Sequence, residues 1–138
     1  MRKGLVVIKL IFDTNFLFLP ARFHIDVLAE CAALLGERVD PLLISQVRLE
    51  LDRMASGRSV KRGMEASLAS EYAKRLRFVT VESGPKEGTD DVISRLAAEW
   101  RCVVATNDSE LKKRLRDISV PVIYLRERSR LELIGGRK

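Results

Sequence analysis

The sequence predicts an α/β protein built around a mainly parallel sheet, and three observations carry that expectation. Short apolar runs alternate with longer stretches of helical period, the pattern of repeated βαβ units. Two of the runs end abruptly in aspartate: Leu10-Ile11-Phe12 passes into Asp13-Thr14-Asn15, and Val103-Val104-Ala105 into Thr106-Asn107-Asp108. A buried strand that stops at Asp delivers a carboxylate to its carboxyl end, where open α/β sheets bind ligands. The third observation is composition: 138 residues, 46% hydrophobic and 32% charged, suffice for one domain with its own core and lie outside the class of disordered chains.

In chain order, strands are expected at Val6–Phe12, Leu42–Ile44, Phe78–Val81, Cys102–Ala105 and Val120–Leu125. Lys9 interrupts the first, so its buried part is expected to be Leu10–Phe12. Helices are expected at His24–Leu35, Gln46–Ala55, Val60–Arg77, Asp90–Trp100 and Ser109–Ile118. In the third of these Val60, Met64, Leu68, Tyr72 and Leu76 recur every four residues, an amphipathic stripe. The polar segment Glu82-Ser83-Gly84-Pro85-Lys86-Glu87-Gly88 is the strongest turn signal, and it leads straight into Thr89-Asp90-Asp91. There are no internal repeats, and the basic tail ending in Gly135-Gly136-Arg137-Lys138 is expected to be mobile.

Helical phase sorts the remaining carboxylates. Glu50 shares a helix sector with Val47, Leu51 and Met54, whereas Asp52 projects the other way as an ordinary solvated charge. Asp90 continues the face of Ile93, Ala97 and Trp100, while Asp91 points away from it. Each carboxylate also has a local reading: an Asx turn at Asp13, an ion pair with a nearby Arg at Glu50, helix caps at Asp90 and Asp108. At the last of these, Asn107 with Glu110 forms a cap pair that frees Asp108. Together Asp13, Glu50, Asp90 and Asp108 come from successive βα segments and converge if those segments share one sheet end. Two carboxylates about 4 Å apart repel by roughly 4 kcal/mol at an effective dielectric of 20, so such a cluster requires a cation. With no Cys or His nearby, hard oxygen ligands select Mg²⁺ or Mn²⁺.

Net charge is +6, from 25 Lys and Arg against 19 Asp and Glu, and a pI near 9.7 makes a polyanion the first partner to consider. Arg53, Arg58, Lys61 and Arg62 beside the second helix, and Lys112, Lys113, Arg114 and Arg116 beyond Asp108, are the candidate phosphate contacts; as single residues each also reads as a solvated helix face. Cys31 and Cys102 lie in apolar segments without metal-ligand spacing and read as reduced core residues. His24 is assigned no role. The apolar stretch Gly4–Leu19 is interrupted by Lys9, Asp13 and Asn15 with no clean cleavage site, and no run reaches the roughly 20 apolar residues of a membrane span, so a cytoplasmic protein is expected.

Asp13-Thr14-Asn15 after a strand, an inward Glu50, Asp90 opening a helix and Thr106-Asn107-Asp108 after another strand resemble the PIN-domain ribonucleases over nearly the whole chain. The closing stretch Ala105-Thr106-Asn107-Asp108-Ser109-Glu110-Leu111-Lys112-Lys113-Arg114-Leu115-Arg116, then Val120-Pro121-Val122-Ile123-Tyr124, looks most like the rRNA-processing branch, with the toxin ribonucleases of toxin–antitoxin pairs as more distant cousins. The resemblance implies a three-layer α/β/α fold and divalent-metal-dependent cleavage of single-stranded RNA. It implies Asp13, Glu50, Asp90 and Asp108 as the acidic cluster, with Thr14, Asn15 and Thr106 in support and Asp91 and Asn107 beside them. RNA, a homodimer and an inhibiting or delivering protein are the partners it brings.

Two other classes compete. One is a non-catalytic RNA-binding module of the same fold, used in ribonucleoprotein assembly. The other is a phosphotransfer domain, since phosphatases and receiver domains also end a strand in Asp; those phosphatases carry a second Asp two residues on, where this chain has Asn15. No Gly-rich loop follows any strand, which argues against a nucleotide cofactor.

Overall fold

The computed structural model describes residues 6–135. Six strands, β1 (Val7–Phe12), β2 (Arg38–Ile44), β3 (Arg77–Val79), β4 (Val103–Ala105), β5 (Val122–Arg126) and β6 (Arg130–Ile134), form one sheet in the order β3-β2-β1-β4-β5-β6. All neighbours are parallel except β5 and β6. The helices are α1 (Leu19–Phe23), α2 (Val27–Leu35), α3 (Ser45–Ala55), α4 (Val60–Ala73), α5 (Thr89–Trp100) and α6 (Ser109–Asp117). Strand order runs outward from β1 to β3 and then returns to the other side of β1, so right-handed crossovers put α1 to α4 on one face and α5 and α6 on the other. The result is three layers, as the resemblance implied.

The sheet core is the part of the pattern most directly legible in sequence. Leu10, Ile11 and Phe12 are fully buried at the centre of the sheet, beside Pro41 and Leu42 of β2 and Val103, Val104 and Ala105 of β4, while Val7 and Lys9 earlier in β1 are exposed. Buried Cys31 and Cys102 are free thiols, pushed up to about 12 and about 11 by desolvation, and are therefore inert packing residues. Among the described residues no helix is long and apolar enough to cross a membrane.

Four local expectations are corrected. The C-terminal segment, expected to be a mobile basic tail, instead contains β6, whose residues pair antiparallel with β5; residues 136–138 lie outside the described residues. His24 does not start a helix: it ends α1 in the left-handed conformation (φ 56°), and α1, opened by Pro20 near its start, has no counterpart in the sequence reading. Helix α4 ends at Ala73, short of the expected Arg77, which instead starts β3.

The α4 stripe is also reassigned. Val60, Met64 and Leu68 are 77%, 64% and 56% exposed, and the residues buried on α4 are Gly63, Ala66, Ala69 and Ala73. Close packing on α3 selects small side chains: a Cβ on Gly63 would stand 3.1 Å from the Ala55 carbonyl oxygen, closer than ordinary van der Waals contact, so the backbone there would have to give by a few tenths of an ångström. Apolar size misleads as a guide to burial wherever two helix backbones approach this closely.

Candidate active site

The switch in strand order falls between β1 and β4, and at such a point the crossover loops part to leave a crevice at the carboxyl ends of the strands. Asp13 follows β1 and Asp108 follows β4 by three residues, so both strand-end aspartates open onto this crevice. Glu50 arrives from α3 and Asp90 from the first turn of α5. All four carboxylates line one concavity of about 290 Å³, together with Thr14, Asn15, Phe18 and Met54.

The two strand-end turns are laced together. The Asp13 N–H donates to the Ala105 carbonyl oxygen (2.9 Å). Thr106, fully buried, donates through Oγ1 to Asp13 Oδ2 (2.7 Å) and accepts from the Asp108 N–H (3.0 Å). Asp13 Oδ1 accepts from the Thr14 N–H (2.8 Å). Asn15 Oδ1 accepts from the Asn107 N–H (3.2 Å), and Asn107 Oδ1 accepts from the Leu125 N–H of β5 (2.8 Å). That last bond overturns the expected cap: Asn107 is spent on the neighbouring strand, and Asp108 Oδ1 caps α6 by accepting from the Leu111 N–H (3.0 Å). Asp108 Oδ2 has no hydrogen bond among the described residues.

Glu50 is held at both oxygens by hydroxyls. Thr14 Oγ1 donates to Oε1 and Thr89 Oγ1 donates to Oε2 (2.7 Å). Thr89 escaped the sequence reading because its partner lies 39 residues away on another helix; the only local signal is its place at the start of α5. A staple sets that start in position: Arg95 pairs with Glu87 (2.9 Å) and donates to the Glu82 carbonyl oxygen, holding Glu87 down at about 2, while Ser45 and Gln46 of α3 bond the Val81 backbone. Thr89→Val is expected to destabilise the fold by about 1 to 2 kcal/mol, since a charged acceptor loses a donor, and Thr89→Ser to retain the wild-type midpoint; urea melts of the three proteins check this.

Asp90 and Asp91 part as helical phase predicts. Asp90 is half-buried, its carboxylate has no hydrogen bond among the described residues, and desolvation, followed by the Asp108 and Glu50 charges, pushes it upward. Asp91 accepts from the Gly88 N–H (2.9 Å), pairs with Arg114 (2.9 Å) and is held below the usual carboxylate range by those bonds. It does not line the concavity. Asp13 is pushed up to about 6, chiefly by burial and further by the Asp90 and Glu50 charges, against the lowering effect of the Thr106 and Thr14 bonds.

The expected phosphate contacts divide into two groups. Arg53, Arg58, Lys61 and Arg62 are exposed at the corner between α3 and α4. On α6, Lys113 and Arg116 are exposed, whereas Arg114 is committed to Asp91 and the Lys112 ammonium lies 4.1 Å from the centre of the Tyr124 ring.

The donor set suits a hard divalent cation. Among the described residues no Lys or Arg lines the acidic concavity and the Asp90 carboxylate has no hydrogen bond; the polar groups of the lining are carboxylates, the Thr14 hydroxyl and the Asn15 amide, beside Phe18 and Met54. Among the described residues no three His, Cys, Asp or Glu side chains stand together so as to hold a metal ion between them. An open site of one or two carboxylates is what Mg²⁺, which retains several waters, requires.

Residues 10–128 match the family model described as "PIN like domain". The chain belongs to the PIN-like domain family. It is 25% identical over 127 residues to ribonuclease VapC4 of Methanocaldococcus jannaschii, covering 92% of this chain and 97% of that protein. It is 29% identical over 117 residues to the rRNA-processing protein FCF1 homolog of Mus musculus, covering 82% of this chain and 54% of that protein. Among solved structures, the PIN domain endonuclease Utp24 superposes with a TM-score of 0.74 at 26% identity, over 94% of this chain and 95% of that one. Both branches of the PIN family named on sequence grounds are thus among the relatives of this PIN-like domain.

Proposed function

We propose that this PIN-like domain is a nuclease that hydrolyses phosphodiester bonds of single-stranded RNA, using Mg²⁺ or Mn²⁺ held by one or two carboxylates of the cluster Asp13, Glu50, Asp90 and Asp108. The observation that carries the reading is the acidic concavity at the β1–β4 switch point, whose carboxylates repel one another with no basic residue in the wall. The relatives support the substrate class, being named a ribonuclease and an rRNA-processing protein.

When bound, such an ion supplies charge to stabilise the phosphoryl oxygens and a water acidic enough to attack. The chain's own work is positioning. Thr106 fixes the rotamer of Asp13 and the backbone of Asp108 with one hydroxyl, so the two strand ends stay in register. Thr14 and Thr89 hold both oxygens of Glu50 in place, poised to accept a proton from water or orient it. The carboxylates act as ligands and acceptors, with no covalent intermediate. The reading includes RNA as substrate and, as companions, a homodimer or a protein that inhibits or delivers the enzyme.

The test is cleavage of single-stranded and structured RNA with Mg²⁺ or Mn²⁺, with Asp13→Asn as control. Metal-dependent cleavage lost in the variant, with RNA binding retained, is the expected result. Equal, negligible cleavage by both proteins on every substrate would overturn the enzyme in favour of a non-catalytic RNA-binding module.

A further inference from the structure

Next to the acidic concavity lies a second one of opposite sign. Arg53, Arg58 and Arg62, with Met54, Gly57 and Ser59, line a hollow of about 280 Å³ at the corner where α3 passes into α4. Met54 lines both hollows, so the two are adjacent along α3. From Glu50 to Met54 is one helical turn, about 6 Å of rise along the axis.

Several guanidinium groups are tied to carboxylates, as at Arg22, Arg75, Arg77, Arg95 and Arg114, while Arg38, Arg48, Arg101, Arg116 and Arg128 have no ion pair among the described residues. What sets Arg53, Arg58 and Arg62 apart is that three unpaired arginines line one hollow. Among the described residues Arg53, Arg58 and Arg62 have neither an ion pair nor a side-chain hydrogen bond, although they share one hollow and repel one another. Three unpaired guanidiniums in one hollow are poorly placed for the protein by itself and well placed for an anion with several oxygens, which Arg grips through paired N–H groups.

We propose that Arg53, Arg58 and Arg62 form a phosphodiester-binding subsite that holds the RNA strand a few nucleotides from the bond to be cut, on the α3–α4 side of the acidic pocket. The inference rests on the RNA-cleaving reading and adds a direction to it: the strand leaves the acidic pocket over Met54 and is clamped at the arginine corner. RNA is favoured over an acidic protein segment because the hollow adjoins, through Met54, the pocket that the functional reading gives to the phosphodiester to be cut, so one strand reaches both. The clamp supplies the attraction that the acidic site cannot.

The experiment is binding of fluorescent oligouridylates of about 2 to 12 nucleotides, a range that brackets common single-strand site sizes, to full-length protein carrying Asp13→Asn. In that parent, affinity is expected to rise once the strand is long enough to reach the clamp. Adding R53A, R58A and R62A together is expected to erase the rise, weaken long oligonucleotides about tenfold or more, and leave the shortest unchanged. The slope of log affinity against log salt should fall by about 2, at about 0.7 per lost phosphate contact with a single strand. R53K, R58K and R62K together, which keep the charge, should retain most of the slope, and a charge-matched control (R38A, K86A and R128A) should retain the length dependence. A triple alanine variant that binds every length as its parent does overturns the subsite alone, as does an equal loss in the control. Selective loss of poly-glutamate binding, with RNA binding intact, would overturn it in favour of an acidic protein ligand. A parent that binds no RNA of any length would overturn the functional reading and the subsite together.

Discussion

Asp13→Asn is expected to make the metal-free protein more stable at pH 7.5 by about 2 kcal/mol while abolishing RNA cleavage. The first effect follows from burial. Asp13 is almost inaccessible and its carboxyl is pushed up to about 6 from 3.8, so the folded state holds a proton that the unfolded chain has already released. Between those pH values the native state binds more protons than the unfolded one, and stability falls as pH rises. A raised acid therefore contributes its full stability below about pH 4 and has lost it above about pH 6, a swing of about 3 kcal/mol. The neutral amide escapes most of that loss, less what a poorer match to the Thr14 and Thr106 donors costs. Asp90, raised in the same direction, steepens the fall in both proteins. Thermal melts in chelator at pH 5 and pH 7.5 measure the effect, and the variant's advantage should be present at the higher pH and small at the lower. Adding Mg²⁺ or Mn²⁺ at pH 7.5 should then raise the melting temperature of the wild type and leave the variant nearly unmoved. A variant no more stable than wild type in chelator would mean that Asp13 is not held as a destabilised charge.

The second large effect is expected at Thr106→Val, which preserves shape and removes one buried hydroxyl. That hydroxyl donates to ionised Asp13 and accepts from the Asp108 N–H, so its loss orphans two polar groups. A bond to a charged acceptor plus a desolvated N–H amounts to about 2 to 4 kcal/mol of destabilisation at pH 7.5. At low pH, where Asp13 is protonated, the loss should shrink. The Thr106 bond is also the largest influence lowering Asp13, so without it the carboxyl rises further and the acid limb of the pH–rate profile moves to higher pH. Thr106→Ser keeps the hydroxyl and should restore both the limb and much of the stability. Urea melts at two pH values and pH–rate profiles of the three proteins check the prediction; an unshifted acid limb in the valine variant would show that this bond does not govern Asp13.

Part of the site was legible because its signals are local. Strand ends mark Asp13 and Asp108, and a 100° turn per residue separates Glu50 from Asp52 and Asp90 from Asp91 without knowledge of any neighbour. The errors occur where a distant segment decides between two acceptable local choices. Both Asn107 and Asp108 are competent helix caps, and the choice is made by the Leu125 N–H of β5, which claims the Asn107 side chain. Val60, Met64 and Leu68 form a sound amphipathic stripe, and the choice is made by the close approach of α3, against which α4 buries Gly63 and three alanines instead. Nor does the basic composition reveal which arginines are spoken for. Arg114 is paired with Asp91 and Arg53 is not, although both follow a site carboxylate closely in sequence.

The sequence by itself determined the layered α/β plan and the four carboxylates that meet at its switch point, because strand length, strand ends and helical phase are properties of adjacent residues. Only the tertiary structure decided what holds those carboxylates and what faces them. Thr106 meets Asp13 across 93 residues, Thr89 meets Glu50 across 39, and Met54 joins the acidic hollow to the arginine corner. Hydrogen-bond partnership and unpaired charge depend on which segments lie side by side in space, and that is settled when the sheet closes around β1.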